Sequence, residues 1–278
     1  MPNKTKPQET NDFRIYRCET TEDKQSRLQL IPPPPPWRTF GLTLEEWKKK
    51  AAETPEKIES KDGDSKGQGF VAEPKVIELV NAALCLRRPL LIEGKPGAGK
   101  TSLAYSVASE LGLPGPYRWS IVSRTTLKDG LYAYDAIGRL QEASLGGTKE
   151  TDIGDYLRLG PMGMAFYKSR PRRPAVLLID EIDKSDIDMP NDLLHIFEEG
   201  AFEIPELSRL KSDEENVLPY RTNRKDSDTK IPIEKGWVQC DDFPLVIMTS
   251  NEARDFPPAF LRRCLRLPLE QPKDVDGF

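Results

Sequence analysis

The run Gly94-Lys95-Pro96-Gly97-Ala98-Gly99-Lys100-Thr101 constrains this chain more than any other, because it fits G-x-x-x-x-G-K-[ST] and demands a strand before it and a helix after it. Glycines at 94, 97 and 99 permit unusual backbone angles and let the main chain wrap closely around a polyphosphate. Backbone N–H groups and the positive end of the following helix then face the anion. In such a loop Lys100 reaches the β- and γ-phosphates and Thr101 offers a hydroxyl to Mg²⁺. Both flanks are of the required kind. Pro89 to Glu93 is a short apolar run suited to a buried strand, and Thr101 to Leu111 carries Leu103, Val107 and Leu111 at helical spacing. Gly112 stands where a helix-ending glycine belongs.

A second motif completes the chemistry. Ala175-Val176-Leu177-Leu178-Ile179-Asp180-Glu181 is an apolar strand ending in two carboxylates, the Walker B pattern. Asp180 at such a strand tip holds Mg²⁺ through water, and Glu181 polarises a water for attack on the γ-phosphate. Thr249-Ser250-Asn251 follows another apolar strand, Leu245 to Met248, so Asn251 is expected between the two motifs beside the attacking water. The two arginines of Pro258-Ala259-Phe260-Leu261-Arg262-Arg263-Cys264 lie on a short helix, suited either to a neighbour's γ-phosphate or to surface ion pairs.

The wider pattern alternates helix and strand from Phe70 onward. With Pro89 to Glu93, Tyr117 to Val122, Ala175 to Ile179, Leu245 to Met248 and Leu265 to Leu269 there are five strand candidates. Helices between them predict an α/β fold with a central parallel five-stranded sheet flanked by helices. Pro74 to Leu86 has helical apolar spacing. The expected organisation is a polar, Pro-containing extension and linker over residues 1–69, a core over 70–270 and a tail over 271–278. In the extension, Pro32 to Pro36 favours polyproline II, and Leu44 to Ala52 suits a short helix with Thr43 as its N-cap. The apolar cluster Trp37, Phe40, Leu42, Leu44 and Trp47 fits either a docking patch on a flexible arm or a segment that packs back on its own domain.

Bulk properties narrow the function. In 278 residues the net charge is −4, so no overall basic field recruits nucleic acid. The basic run Lys168-Ser169-Arg170-Pro171-Arg172-Arg173 is the best local site for such contact, but it lacks interleaved aromatic residues, and such a run before a buried strand is more commonly a solvated connection. One histidine, His195, excludes His-dependent triads and multi-histidine metal sites. Four scattered cysteines without metal-ligand spacing, no secretory signal and only strand-sized apolar runs predict a reduced, cytoplasmic protein with no membrane partner.

With these parts in order, the chain resembles the AAA+ ATPases, and within that superfamily the bacterial MoxR-type ATPases. The resemblance covers about residues 70 to 270. Phe70-Val71-Ala72-Glu73-Pro74 matches the adenine-side segment, Leu159-Gly160-Pro161-Met162 the "GP" turn, and Asn191-Asp192-Leu193-Leu194 with Glu198 and Glu199 the "LL…EE" helix. It implies ATP and Mg²⁺ as ligands. Gly94 to Thr101 and Val71 would bind the nucleotide, Thr101 and Asp180 the metal, with Glu181 as base, Asn251 as sensor and Arg263 as arginine finger. Arg262 stands where the family's motif has aspartate. The family also implies a ring, commonly a hexamer, a protein client, and partners bearing von Willebrand factor A domains. Its insertions engage clients or ring partners; here Thr125 to Arg170 is one, and a second would pair Phe202 to Leu207 with Lys230 to Ile233 as a hairpin, with Ser208 to Thr229 as its tip. The family continues into a helical lid, which Gln271 to Phe278 cannot build, so a core without its lid is expected. Two further functions stay open at this level: a nucleotide-dependent binding switch with little hydrolysis, and a nucleic-acid-associated motor subunit.

Overall fold

The computed structural model describes residues 14–19, 24–53, 67, 69–144, 152–210, 212–221, 229–251 and 254–270. The expected tail at 271–278, most of the linker and part of the 208–229 tip lie outside the described residues. In chain order the helices are α1 (Lys24–Gln29), α2 (Leu44–Glu53), α3 (Pro74–Leu86), α4 (Lys100–Leu111), α5 (Leu127–Leu131), α6 (Ala136–Ser144), α7 (Pro161–Lys168), α8 (Met189–Glu199), α9 (Pro205–Ser208) and α10 (Pro258–Arg263). The strands are β1 (Leu90–Glu93), β2 (Tyr117–Ser120), β3 (Tyr132–Tyr134), β4 (Leu157–Leu159), β5 (Val176–Asp180), β6 (Ala201–Glu203), β7 (Glu214–Val217), β8 (Ile231–Glu234), β9 (Trp237–Gln239), β10 (Leu245–Ser250) and β11 (Leu265–Pro268).

Five strands form the expected parallel sheet, in the order β11-β1-β10-β5-β2. Its central strands are apolar throughout because both faces are covered. Side chains alternate across a strand, so one run feeds two cores. Leu90, Ile92, Val176, Leu178, Leu245 and Ile247 pack with α3 and α4 on one face. Leu91, Leu177, Ile179, Val246 and Met248 pack on the other with residues of α7 and α8, such as Phe166 and Phe197. Local signals set the helix ends: Pro74 opens α3 at a position where its missing N–H costs nothing, and Gly112, at φ 61°, closes α4.

The second insertion differs from expectation. β6 pairs with β9, and β8 pairs with β7, so Phe202 and Ile233 belong to different two-stranded ladders. The chain breaks between β8 and β9 at Lys235 and Gly236, both at positive φ, and this turn sends it from one ladder to the other.

The described part of the extension packs on the core. Ile15 and Tyr16 are buried, and their N–H groups donate to Asn81 Oδ1 at 2.8 and 2.9 Å, while Asn81 Nδ2 donates to Tyr16 O at 2.8 Å. The Tyr16 hydroxyl meets Ser106 Oγ of α4 at 2.9 Å, and burial pushes that phenol well above its ordinary pKa. Trp47, on α2, is 2% exposed and donates its indole N–H to Asp242 at 3.0 Å. Asp242 in turn accepts from Arg87 Nε and Nη2, both at 2.9 Å. Arg87 and Asp242 precede β1 and β10, so this cluster closes the N-terminal ends of two neighbouring strands. All four cysteines are free, and burial raises the Cys264 thiol to about 12.

Candidate nucleotide site

At the opposite ends of the strands, three adjacent elements deliver the motif residues. The loop 94–99 leaves β1, Asp180 ends β5, and Asn251 follows β10 directly. Gly94 donates its N–H to Ser250 O at 3.2 Å, which ties the loop to the end of β10. A Cβ on Gly94 would stand 2.2 Å from Leu269 O, so only glycine fits between the loop and the segment after β11. At Gly97, φ is 84° and a Cβ would meet no atom within 4 Å. Lys95 and Pro96 are exposed at the crest of the loop and Ala98 is buried beneath it.

Lys100, buried in the first turn of α4, directs its ammonium into the loop. It donates to Gly94 O, to Lys95 O at 2.9 Å and to Asn251 Oδ1 at 2.9 Å. Three oxygens hold this buried ammonium inside the loop, and a phosphate oxygen placed there would accept a charge-assisted bond from it. With the open space at Gly97, this makes the loop a fitting cradle for a polyphosphate. Thr101 Oγ1 donates to Asp180 Oδ1 at 3.2 Å, so a hydroxyl and a carboxylate share one corner, the hard-oxygen pair that Mg²⁺ selects.

Glu181 occupies the left-handed region at φ 63°, which a non-glycine residue adopts at a cost of about 1–3 kcal/mol. Its neighbours hold it there. Its N–H donates to Thr249 Oγ1 at 2.9 Å, and its carboxylate takes Lys184 Nζ at 2.7 Å and Asn251 Nδ2 at 3.5 Å. The bond to Glu181 raises the Lys184 ammonium above its ordinary pKa. Asn251 thus joins the two motifs: Oδ1 takes Lys100, Nδ2 reaches Glu181, and its backbone N–H donates to Asp183 Oδ1 at 3.2 Å. Lys100, Thr101, Asp180, Glu181 and Asn251 are therefore in one place.

Two expected residues stand apart. Arg263, on α10, pairs with Glu198 of α8, and both side chains are about half exposed. Val71 is 87% exposed; its neighbour Phe70 is the residue against the loop, 3.2 Å from where a Cβ on Gly99 would sit. The basic run 168–173 lies at the other ends of the strands. Arg170 Nε is 3.3 Å from Asp241 Oδ2, and the Arg172 guanidinium lies 5.9 Å from the Trp47 ring centroid and donates to Gln29.

Sequence reasoning missed two contributors. Arg118, on β2, donates Nε and Nη2 to Asp180 Oδ2 at 3.0 and 2.6 Å. Thr249, fully buried, donates to Asp180 Oδ1 at 2.7 Å while accepting from Glu181 N–H. The alternation Tyr117-Arg118-Trp119-Ser120 did carry a signal that Arg118 leaves the apolar face of its strand. Nothing local pointed it at Asp180.

The model of the ATPase family associated with various cellular activities (AAA) matches residues 90–270, which span the loop, both carboxylates and Asn251. The chain belongs to this family. Its AAA domain is thus a nucleotide-binding domain of P-loop NTPase fold. Among solved structures, it is similar to a protein of Cytophaga hutchinsonii described as a candidate ATPase, at 18% identity and a TM-score of 0.42, over 76% of this chain and 50% of that one. It is also similar to a magnesium chelatase complex of subunits BchI and BchD, at 15% identity and a TM-score of 0.36, over 68% of this chain and 55% of that one. The chain spans about half the length of each. No curated protein matches it in sequence. Among the described residues no helix is long and apolar enough to cross a membrane.

Proposed function

We propose that this AAA domain hydrolyses ATP and uses the cycle to remodel or assemble a protein client, as the MoxR-type ATPases it resembles do. The observation that carries the reading is Asn251, which links Lys100 of the phosphate loop to Glu181 of the second motif through one amide. In this reading Gly94 to Thr101 wrap the phosphates, and Lys100 turns from the loop carbonyls to the β- and γ-oxygens. Thr101 and Asp180 would hold Mg²⁺, which would supply neutralisation of the charge on those oxygens. Glu181 accepts the proton of the attacking water, Asn251 orients that water, and Val71 and Phe70 flank the base.

Arg263 acts on the nucleotide of a neighbouring copy in a ring, in keeping with its place on α10, paired to Glu198 and apart from its own site. Residues 70–270 form the ATPase core and residues 1–69 an extension whose described part braces it. On the insertion, Ile137 and Leu140 of α6 are 70% and 68% exposed on adjoining helical positions, an apolar foothold for a client or for a partner with a von Willebrand factor A domain. Such a protein works in the cytoplasm.

Glu181→Gln tests the chemistry: nucleotide binding should persist while turnover falls below detection. A Glu181→Gln protein that hydrolyses ATP at the parental rate would refute the mechanism, and failure of the parental protein to turn over ATP at any concentration would reduce it to a binding switch.

A further inference from the structure

We propose that Arg118 is the resident counter-cation of Asp180 and sets how strongly nucleotide binding depends on magnesium; this rests on Asp180 holding the metal. The Asp180 carboxylate is fully engaged. Oδ1 accepts from Thr101 and Thr249, and Oδ2 accepts twice from Arg118. The Asp180 side chain is 7% exposed while that of Arg118 is 44% exposed, so the guanidinium forms the solvent-side wall of the carboxylate. Its anchorage allows movement of the side chain alone. β2 is the edge strand, and the Arg118 carbonyl is fixed by the Tyr220 hydroxyl at 2.8 Å, so the backbone can stay while the guanidinium swings outward.

Two opposite consequences follow from one contact. A nearly buried carboxylate close to the phosphate cradle repels a nucleotide, and Arg118 cancels that charge when no divalent cation is supplied. A divalent cation recruited by Asp180 through water must share or displace the same guanidinium, so Arg118 opposes it. Arg118 therefore supports nucleotide binding without metal and weakens the metal's own hold. The other cations near the site are committed elsewhere: Lys100 contacts the loop and Asn251, and Lys184 is paired with Glu181. A residue with only a structural role would shift both conditions alike.

The test is titration of the full chain with a fluorescent ATP analogue, in EDTA and across a magnesium series, for the parent, Arg118→Ala, Arg118→Lys and Asp180→Asn. Loss of a charge-assisted pair of this exposure should make Arg118→Ala bind the analogue roughly threefold to tenfold more weakly in EDTA, and lower the half-saturating magnesium concentration by a similar factor. Arg118→Lys, which keeps the charge but not the fork, should fall between. It also serves as the reading if the alanine variant does not fold in a thermal melt. Shifts of the same sign in both conditions, or no shift in either, overturn the proposal. Asp180→Asn separates the underlying reading. If its response to magnesium is lost while Arg118→Ala shows no crossing, Arg118 alone is refuted. If Asp180→Asn keeps the parental response, Asp180 does not hold the metal and both fall.

Discussion

Thr249→Val isolates the joint between the two carboxylates. The Thr249 hydroxyl, 1% exposed, accepts from Glu181 N–H at 2.9 Å and donates to Asp180 Oδ1 at 2.7 Å. Valine keeps the shape and removes both bonds. The bond to a charged oxygen is worth about 1.5–3 kcal/mol and the neutral one about 0.5–1.5 kcal/mol, so the loss should be about 2–4.5 kcal/mol in urea denaturation. A domain with about 5–15 kcal/mol of stability survives that loss and can still be assayed. The functional effect should exceed the structural one, because Glu181 is held at φ 63° partly by this bond. Freed of it, the residue relaxes toward an ordinary conformation and its carboxylate leaves the position of the attacking water. A displacement of about 1 Å costs on the order of a hundredfold in rate, so single-turnover hydrolysis should fall tenfold to a hundredfold. The affinity for nucleotide should change little, since Lys100 and the loop are untouched. Thr249→Ser keeps both bonds and loses one methyl, about 0.8 kcal/mol, and should recover most of the turnover. A Thr249→Val protein of parental stability and rate would refute the reasoning, as would a serine variant that fails as badly as valine.

Other outcomes follow from single contacts. Arg263→Ala should bind nucleotide normally and lose turnover, and mixing it with Glu181→Gln should restore activity above either alone, since each supplies what the other lacks; a mixture as inactive as its parts would remove the inter-subunit role. Trp47→Ala should cost about 3–5 kcal/mol in urea denaturation as a large buried aromatic, and Trp47→Phe distinctly less, because an aromatic ring still fills most of the space while the bond to Asp242 and part of the indole are lost. Burial acts to raise the Asp152 pKa, but Lys230, at 2.6 Å, and the Gly154 N–H bring it below the ordinary aspartate value. Such a depressed carboxylate stabilises the fold above its unfolded pKa, and that contribution disappears as pH falls through the folded one. The stability gap between the parent and Asp152→Asn should therefore shrink steadily on acidification below the aspartate range, and a gap independent of pH would contradict it.

What was legible in the sequence was local. Apolar runs marked β1, β5 and β10 because a strand covered on both faces must be apolar along its length, while the edge strands β2 and β11 showed as shorter alternating runs. Glycines marked the loop and the end of α4 because those backbone conformations exclude other residues. The pairing of the second insertion was not legible. β6 to β9 are three or four residues long, and strands so short carry too little alternation to choose partners. The Lys235-Gly236 turn was the one clue that β8 and β9 enter different ladders. The contact of Arg118 with Asp180 joins residues 62 apart in sequence, on two strands whose adjacency is set by the whole sheet.

The same limit explains the basic run at 168–173, and its resolution shows how the fold divides its work. In sequence it read more as a solvated connection than as a surface for nucleic acid; in the structure Arg170 faces Asp241, which also takes Lys50 of α2, and Arg172 lies over Trp47. Those contacts gather at the N-terminal ends of the central strands, together with the buried Arg87–Asp242 pair. There the extension adds an aromatic side chain and ion pairs. The C-terminal ends carry the opposite arrangement: Glu181 in a strained conformation, a lysine ammonium turned into the phosphate loop, and the Asp180 carboxylate, proposed to hold the metal, paired with Arg118. The left-handed conformation of Glu181 costs about 1–3 kcal/mol of stability. A site of that kind persists only if the rest of the fold over-determines it, and the clamp of α2 on the far ends of β1 and β10 is the part of this chain placed to do so.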